Sequence, residues 1–286
     1  MPGNWHPRLL RPETRWLAAF ILPFAILFAA FAVYPVAFCL WLGADSALYG
    51  ELFANPRYPT VVLNTVLFAG LGVGLTMLLA LLLSGYFTGG GRWRRMILAV
   101  FILSWVMPAL PAFLSLHWMF IGYGGFMNSM LDHLLGIEGP IWFDNWGLAL
   151  AINIGAYVWK WLPFWTVILM AGRTGIPKDL YDAAAVDGAT MPACFRYITL
   201  PLLANLVLLC AMLATLWAVG DFTTTYFVSS GAPALTTEVL GTYGFRVGLT
   251  EGHPGLGIAA MLTALPVLVL LVAALVRRLR TADIQL

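Results

Sequence analysis

The chain has 286 residues, of which 61% are hydrophobic and only 10% charged, with a mean hydropathy of +0.88. A soluble domain carries about 25% charged residues, so these side chains cannot cover a globular surface, and a soluble catalytic domain is excluded. The formal charge of +2 says little; the distribution of the charges says more.

Six apolar stretches follow one another: Leu17–Leu42, Val61–Phe87, Met96–Phe120, Gly147–Ala171, Leu200–Ser229 and Leu256–Val276. Each is long enough for a membrane helix at about 1.5 Å rise per residue. The expected fold is an all-α membrane protein with six transmembrane helices in one domain covering residues 1–286. The first stretch follows Arg8, Arg11 and Arg15; it is too long for a signal peptide and lacks an obvious cleavage site, so it reads as a retained span. The fifth is over-long and is expected to tilt or break near Gly220. A barrel is excluded because the runs do not alternate. Gly70 and Gly74 form a GxxxG that allows close helix approach; tolerated glycine is the alternative reading. Pro23, Pro35, Pro108, Pro111, Pro163 and Pro266 fall inside spans, where each removes a backbone donor and can kink its helix.

Twelve of the fifteen Lys and Arg residues fall on one side of these spans: Arg8, Arg11, Arg15, Arg92, Arg94, Arg95, Arg173, Lys178, Arg196, Arg277, Arg278 and Arg280. The other side receives Arg57 and Arg246, and Lys160 lies inside a span. The bias places both termini in the cytoplasm.

Residues 172–200 form the longest ordered-looking cytoplasmic connection. Pro177 suits the opening of a helix, Asp179 and Asp182 lie near its positive end, and Ala183, Ala184 and Ala185 favour helix with little bulk. Gly188 can end it in a left-handed conformation. Thr190 can cap a second short helix, with Pro192 in its first turn. The result is a helix–turn–helix knuckle, either docked on another protein or lying on lipid headgroups.

The sequence Asp182-Ala183-Ala184, then Asp187-Gly188-Ala189, then Ile198-Thr199-Leu200-Pro201 resembles the EAA loop of permease subunits from binding-protein-dependent ABC importers. Asp182 stands where that family usually has Glu. "FTTTYFVSSGAP" (222–233), continued by Thr237, Leu240 and Tyr243, is similar to the carbohydrate-type, maltose-permease-like members. Thr223 departs from a common Asp there, and Ala232 from a Gly. "WKWLPFW" (159–165) resembles their fourth span, with Pro163 for a Gly. The resemblance implies a type I ABC importer permease fold in which 172–200 carries a coupling helix. It implies that Asp182, Ala183, Ala184, Asp187, Gly188 and Ala189 serve ATPase coupling. The implied partners are a second, distinct permease subunit, two cytoplasmic ATPase subunits and a periplasmic or lipid-anchored substrate-binding protein. The implied cargo is a sugar, sugar alcohol or related polyol.

Lys160 and Asp221 are the ionisable residues expected within spans. Such residues are costly in lipid and are functional candidates. They face a polar cavity, pair with each other, or make ordinary polar contacts. Trp159, Trp217, Thr224 and Tyr226 lie near them in sequence, with Trp161, Trp165 and Phe222. Aromatic rings suit the apolar faces of sugars, and they also populate interfacial belts. Trp217, Asp221 and Thr224 share a direction that suits one cavity. The outside segments Ile121–Trp146 and Gly231–Pro254 are expected to receive the binding protein.

No enzymatic activity is expected of this chain. Lys160 follows Trp and Lys178 follows Pro, so neither completes a phosphate-binding Gly-Lys-Ser/Thr. His6, His117, His133 and His253 are scattered, and Cys39, Cys194 and Cys210 form no CxxC. No cofactor, metal or nucleic acid is expected. The competing reading is an ion-gradient-driven secondary transporter of a small polar solute, in which Lys160 and Asp221 would have to serve.

Overall fold

The computed structural model describes residues 12–122 and 124–283, so His6, Arg8 and Arg11 lie outside the described residues. Every regular element among the described residues is helical. Helix α1 (Pro12–Phe28) passes through one widened turn, Ala29–Val33, into α2 (Tyr34–Leu42). The widening comes just before Pro35, whose ring cannot donate to the turn below. The same device recurs at Phe195–Thr199, just before Pro201. A short α3 (Ser46–Ala54) follows, its first turn capped by the Asp45 side chain, which accepts from the Ala47 N–H at 2.9 Å.

The second span is α4 (Tyr58–Thr88). The third, expected as one helix over 96–120, is instead two: α5 (Arg92–Val106) and α6 (Ala109–Phe120), bent by 96°. The cause is the Pro108-Ala-Leu-Pro111 sequence, which withholds two donors within one turn. Helix α7 (Phe126–Leu135) lies in the following segment, and the fourth span is α8 (Trp146–Thr174), with Pro163 inside it. The knuckle holds α9 (Lys178–Val186) and α10 (Met191–Cys194). The fifth span, α11 (Leu200–Val219), ends at Gly220 as anticipated, and the apolar run continues in the separate α12 (Thr223–Val228). Helix α13 (Leu240–Phe245) precedes the sixth span, which is α14 (Pro254–Leu262) and α15 (Leu265–Asp283) on either side of a turn. Among the described residues, five helices, or six with the bent pair taken as one span, are long and apolar enough to cross a membrane.

The core forms where α4, α8 and α11 meet. Phe68, Val73 and Met77 of α4 pack with Leu150, Tyr157 and Trp165 of α8 and with Cys210 and Ala214 of α11. The two sides of α4 differ in polarity. Asn64, Thr65, Thr76 and Ser84 are buried, among Phe68, Met77 and Leu81, whereas Leu63, Val66, Leu71, Leu75, Leu78 and Leu82 are exposed. This pattern suits helices in lipid that associate through packing and hydrogen-bonding residues. Thr65 and Thr76 return their hydroxyls to the helix, to Val61 and Gly72.

The expected GxxxG at Gly70 and Gly74 is not a packing face within this chain, since both positions are open. Gly72, between them, is the close contact: a Cβ there would lie 3.1 Å from the Tyr157 ring. A second GxxxG, Gly244 and Gly248, does bring helices together. A Cβ on Gly257 of α14 would lie 2.5 Å from the Gly244 carbonyl oxygen and 2.7 Å from the Gly248 Cα.

Two buried asparagines organise the segments between spans, Asn64 from the second span and Asn128 from within residues 124–146. Asn64 donates to the carbonyls of Thr236 (2.7 Å) and Glu238 (2.8 Å) and accepts from the Trp146 indole (3.0 Å). Asn128 donates to Gly122 and Pro140 and accepts from the Trp142 indole. The segments 121–146 and 231–254 are therefore folded rather than open loops.

Candidate functional site

The knuckle between α8 and α11 is built as its residues dictate. Pro177 takes the position just before α9, with φ −56° and ψ 133°. Gly188 lies at φ +74°, a conformation that costs other L-residues about 1–2 kcal/mol. The Gly188 N–H donates to Ala185 at 3.1 Å and the Ala189 N–H to Ala184 at 2.9 Å, which is the paired bonding of a Schellman stop. Thr190 precedes α10, but its side chain caps no N–H there, contrary to the role expected of it.

Asp182, Ala183, Asp187, Gly188 and Ala189 are exposed, and Ala184 is half-buried. The most prominent apolar side chains of the knuckle are two that the sequence reading passed over, Val186 and Met191, each 89% exposed. One contact fixes the knuckle to the spans: the Tyr181 hydroxyl of α9 bonds the Thr199 hydroxyl, just before α11, at 2.9 Å. Above it, at the end of α8, the Arg173 guanidinium donates to the Leu81 carbonyl of α4 at 3.2 Å, and a Cβ on Gly85 would lie 3.0 Å from it.

The two intramembrane charges do not pair. Lys160 is 3% exposed, and its Nζ donates to the carbonyls of Ser104 (3.0 Å), Trp105 (3.2 Å) and Met107 at the end of α5. Asp221 accepts from the N–H and the hydroxyl of Thr224, both at 2.8 Å, at the start of α12. A cation thus sits at a helix C-terminus and an anion at a helix N-terminus, the arrangement the helix dipole favours. Thr224 is fully buried with its hydroxyl on Asp221, so Thr224 does not line a cavity with Trp217 and Asp221.

The aromatics fall into two groups. Trp217 meets Trp161 (5.2 Å between ring centroids), Trp165 (5.4 Å) and Phe164 (5.6 Å). Tyr226 stacks on Phe222 at 4.6 Å, and Phe222 meets Phe245 at 4.5 Å. Trp159 belongs to neither; it lines a groove of about 360 Å³ with Leu116, Phe120 and Trp142. Trp159, Trp217 and Tyr226 each keep about two-fifths of their surface exposed. A larger apolar groove of about 470 Å³, bordered by α4, α11 and α15, contains none of the expected pathway residues.

Residues 72–281 match the family of binding-protein-dependent transport system inner membrane components. This chain belongs to that family. Among curated relatives, the permease is 30% identical to the sulfoquinovosyl glycerol transport system permease protein SmoG of Agrobacterium fabrum, over 94% of each chain. It is 30% identical to the diacetylchitobiose uptake system permease protein DasB of Streptomyces coelicolor, over 81% of this chain and 70% of that one. It is 28% identical to the trehalose/maltose transport system permease protein MalF of Thermococcus litoralis, over 91% and 92%. A chain of a bacterial alginate ABC transporter, solved with an alginate pentasaccharide-bound periplasmic protein, shares the fold. Its TM-score is 0.78 at 21% identity, covering 92% of the permease and 93% of that chain.

Three features of the permease site were not read from the sequence. Tyr181 and Arg173 act through partners 18 and 92 residues away. The partners of Lys160 lie 53 to 56 residues away, and only the paired prolines Pro108 and Pro111 signalled that acceptors would be left open near it.

Proposed function

We propose that this chain is one permease subunit of an ATP-driven, binding-protein-dependent importer that moves a sugar, sugar alcohol or related polyol by alternating access. The observation that carries the reading is the 178–194 knuckle. It is a glycine-stopped helix, anchored at Tyr181, whose alanine-rich surface and two protruding apolar side chains need a cytoplasmic partner. Asp182, Ala183, Ala184, Asp187, Gly188 and Ala189 form the ATPase-coupling surface, with Val186 and Met191 as its apolar knobs. ATP hydrolysis belongs to the partner subunits, and the permease itself is not an enzyme.

The assembly is a heterodimer with a second permease chain, carrying two cytoplasmic ATPases and receiving cargo from a periplasmic or lipid-anchored binding protein at 121–146 and 231–254. Both termini are cytoplasmic. The names of the relatives, which carry diacetylchitobiose, sulfoquinovosyl glycerol and trehalose or maltose, support the carbohydrate class. Trp159, Trp217 and Tyr226 are the pathway residues we favour, because their rings remain partly exposed.

The test is uptake in vesicles containing the whole complex, with ATP inside and loaded binding protein outside. Uptake that needs both, and that persists when ionophores collapse the ion gradients, supports the importer. Uptake abolished by ionophores with ATP present points to gradient-driven transport instead.

A further inference from the structure

We propose that Lys160 is a positioning residue for transport: its ammonium group holds the third span broken between α5 and α6, and so sets where α6 meets α12. The proposal rests on the importer reading for its transport consequence, but not for its geometry.

The break leaves acceptors without donors. In an unbroken helix the Ser104 carbonyl would accept from residue 108 and the Met107 carbonyl from residue 111. Both residues are prolines and have no N–H. The Trp105 carbonyl would accept from Ala109, which the 96° bend carries away, and no such bond forms. These three carbonyls, with that of Val106, lose their helical donors at one helix end inside a membrane, where unpaired backbone groups are costly. A lysine ammonium has three N–H donors and no acceptor, and Lys160 bonds the Ser104, Trp105 and Met107 oxygens. Its charge also lies at the negative end of the α5 dipole. Leucine or methionine at 160 would supply no donor, and glutamine only two.

The break has a structural consequence. Phe113 packs with Val228 of α12 and Ala156 of α8, and His117 Nδ1 bonds the Val228 carbonyl at 2.8 Å. Helix α12 itself begins beyond the end of the fifth span at Gly220 and is capped by Asp221. Two helices that follow breaks, α6 beside the buried Lys160 and α12 beside the half-buried Asp221, therefore pack on each other. If α5 and α6 straightened, the α6–α12 contact would be lost.

The experiment uses the complete transporter with spin labels on a cysteine-free background at Val100 of α5 and Trp118 of α6, both exposed. Distances and ATP-driven uptake are measured for the parent, Lys160→Arg and Lys160→Met. We expect Lys160→Met to shift or broaden the distance and to cut uptake roughly tenfold or more, as displaced functional groups do. Lys160→Arg, which keeps a multi-donor cation, should retain the distance and most of the uptake. Pro108→Ala added to Lys160→Met restores a donor to Ser104; it should raise the amount of protein recovered but leave uptake low. A Lys160→Met transporter with the parental distance and uptake would overturn the proposal. So would recovery of full uptake by Pro108→Ala, since Lys160 would then serve stability alone. If Lys160→Met cannot be recovered, the double variant decides between the same two results. Failure of the parent to show ATP-driven uptake would count against the importer reading, while the distances would still decide whether Lys160 holds the break.

Discussion

The Lys160 Nζ lies 3.0 Å from the carbonyl oxygen of Ser104, an acceptor whose helical donor would have been residue 108, a proline. The pair shows how this chain uses an intramembrane charge to complete a backbone that proline leaves incomplete. Asp221 does the complementary work at a helix start, with Thr224.

Asp221→Ala removes the acceptor of both Thr224 bonds. Loss of an N-terminal cap costs about 0.5–2 kcal/mol, so hydrogen exchange at Thr224 and Thr225 should accelerate while α11 stays protected. Asp221→Ser restores an acceptor and should recover most of the protection. Equal protection in all three proteins would show that the cap does not hold α12.

Gly257→Ala forces a Cβ to within 2.5 Å of the Gly244 carbonyl oxygen. Overpacking of this kind costs about 1–3 kcal/mol, and here backbone, not a flexible side chain, stands in the way. The melting temperature of the purified chain in detergent should fall. Gly70→Ala and Gly74→Ala meet no atom within 4 Å and should leave it unchanged. The opposite ranking would refute the Gly244–Gly248–Gly257 contact.

Arg246 bonds both carboxylate oxygens of Glu238, at 2.6 and 2.8 Å, and also reaches Glu251. The Glu238 hydrogen bonds hold the guanidinium charged, above its ordinary range. Glu238 is 2% exposed, so Arg246→Met strands a buried carboxylate. The cost should be about 3 kcal/mol, the size seen when one partner of a buried pair is removed. Adding Glu238→Gln should return part of it. Thermal melts of the single and double variants decide, and additive losses would show that the two residues do not act as a pair.

Gly188→Val places a β-branched residue at φ +74°, which costs about 1–2 kcal/mol or more in local strain. The end of α9 should shift rather than the span helices. Expected results are a complex that still inserts and assembles, with ATP hydrolysis no longer tied to uptake. Coupled uptake at the parental rate would remove Gly188 from the coupling surface.

The sequence made the helical class, the approximate spans and the knuckle legible, because each depends on local chemistry: long apolar runs, an Ala-rich helix and a glycine in a stop position. Gly220 also announced the end of the fifth span. Contacts between distant positions were not legible. The readings for Lys160 stayed open between a cavity, a pair with Asp221 and an ordinary polar contact, because an isolated lysine in an apolar run carries no mark of its partners, which lie 53 to 56 residues earlier. Thr224 was placed toward a cavity by helical periodicity carried on from α11, but the chain breaks at Gly220 and the phase is lost. Gly70 and Gly74 matched a packing motif on the outer side of α4, whereas Gly244 and Gly248, which do pack, sit outside the runs that drew attention. Val186 and Met191 carried no signal beyond their hydrophobicity, and their exposure appears only once the knuckle is folded.

The measurement that tests the account most directly is gentle purification of the tagged chain from its native membrane, with crosslinking from cysteines placed at 183–191 and mass spectrometry of what is captured. The account predicts a second permease chain and an ATPase in the preparation, with crosslinks joining Ala183, Val186 or Met191 to the ATPase. A chain recovered alone or only with copies of itself, its knuckle crosslinked to nothing but lipid, would contradict it.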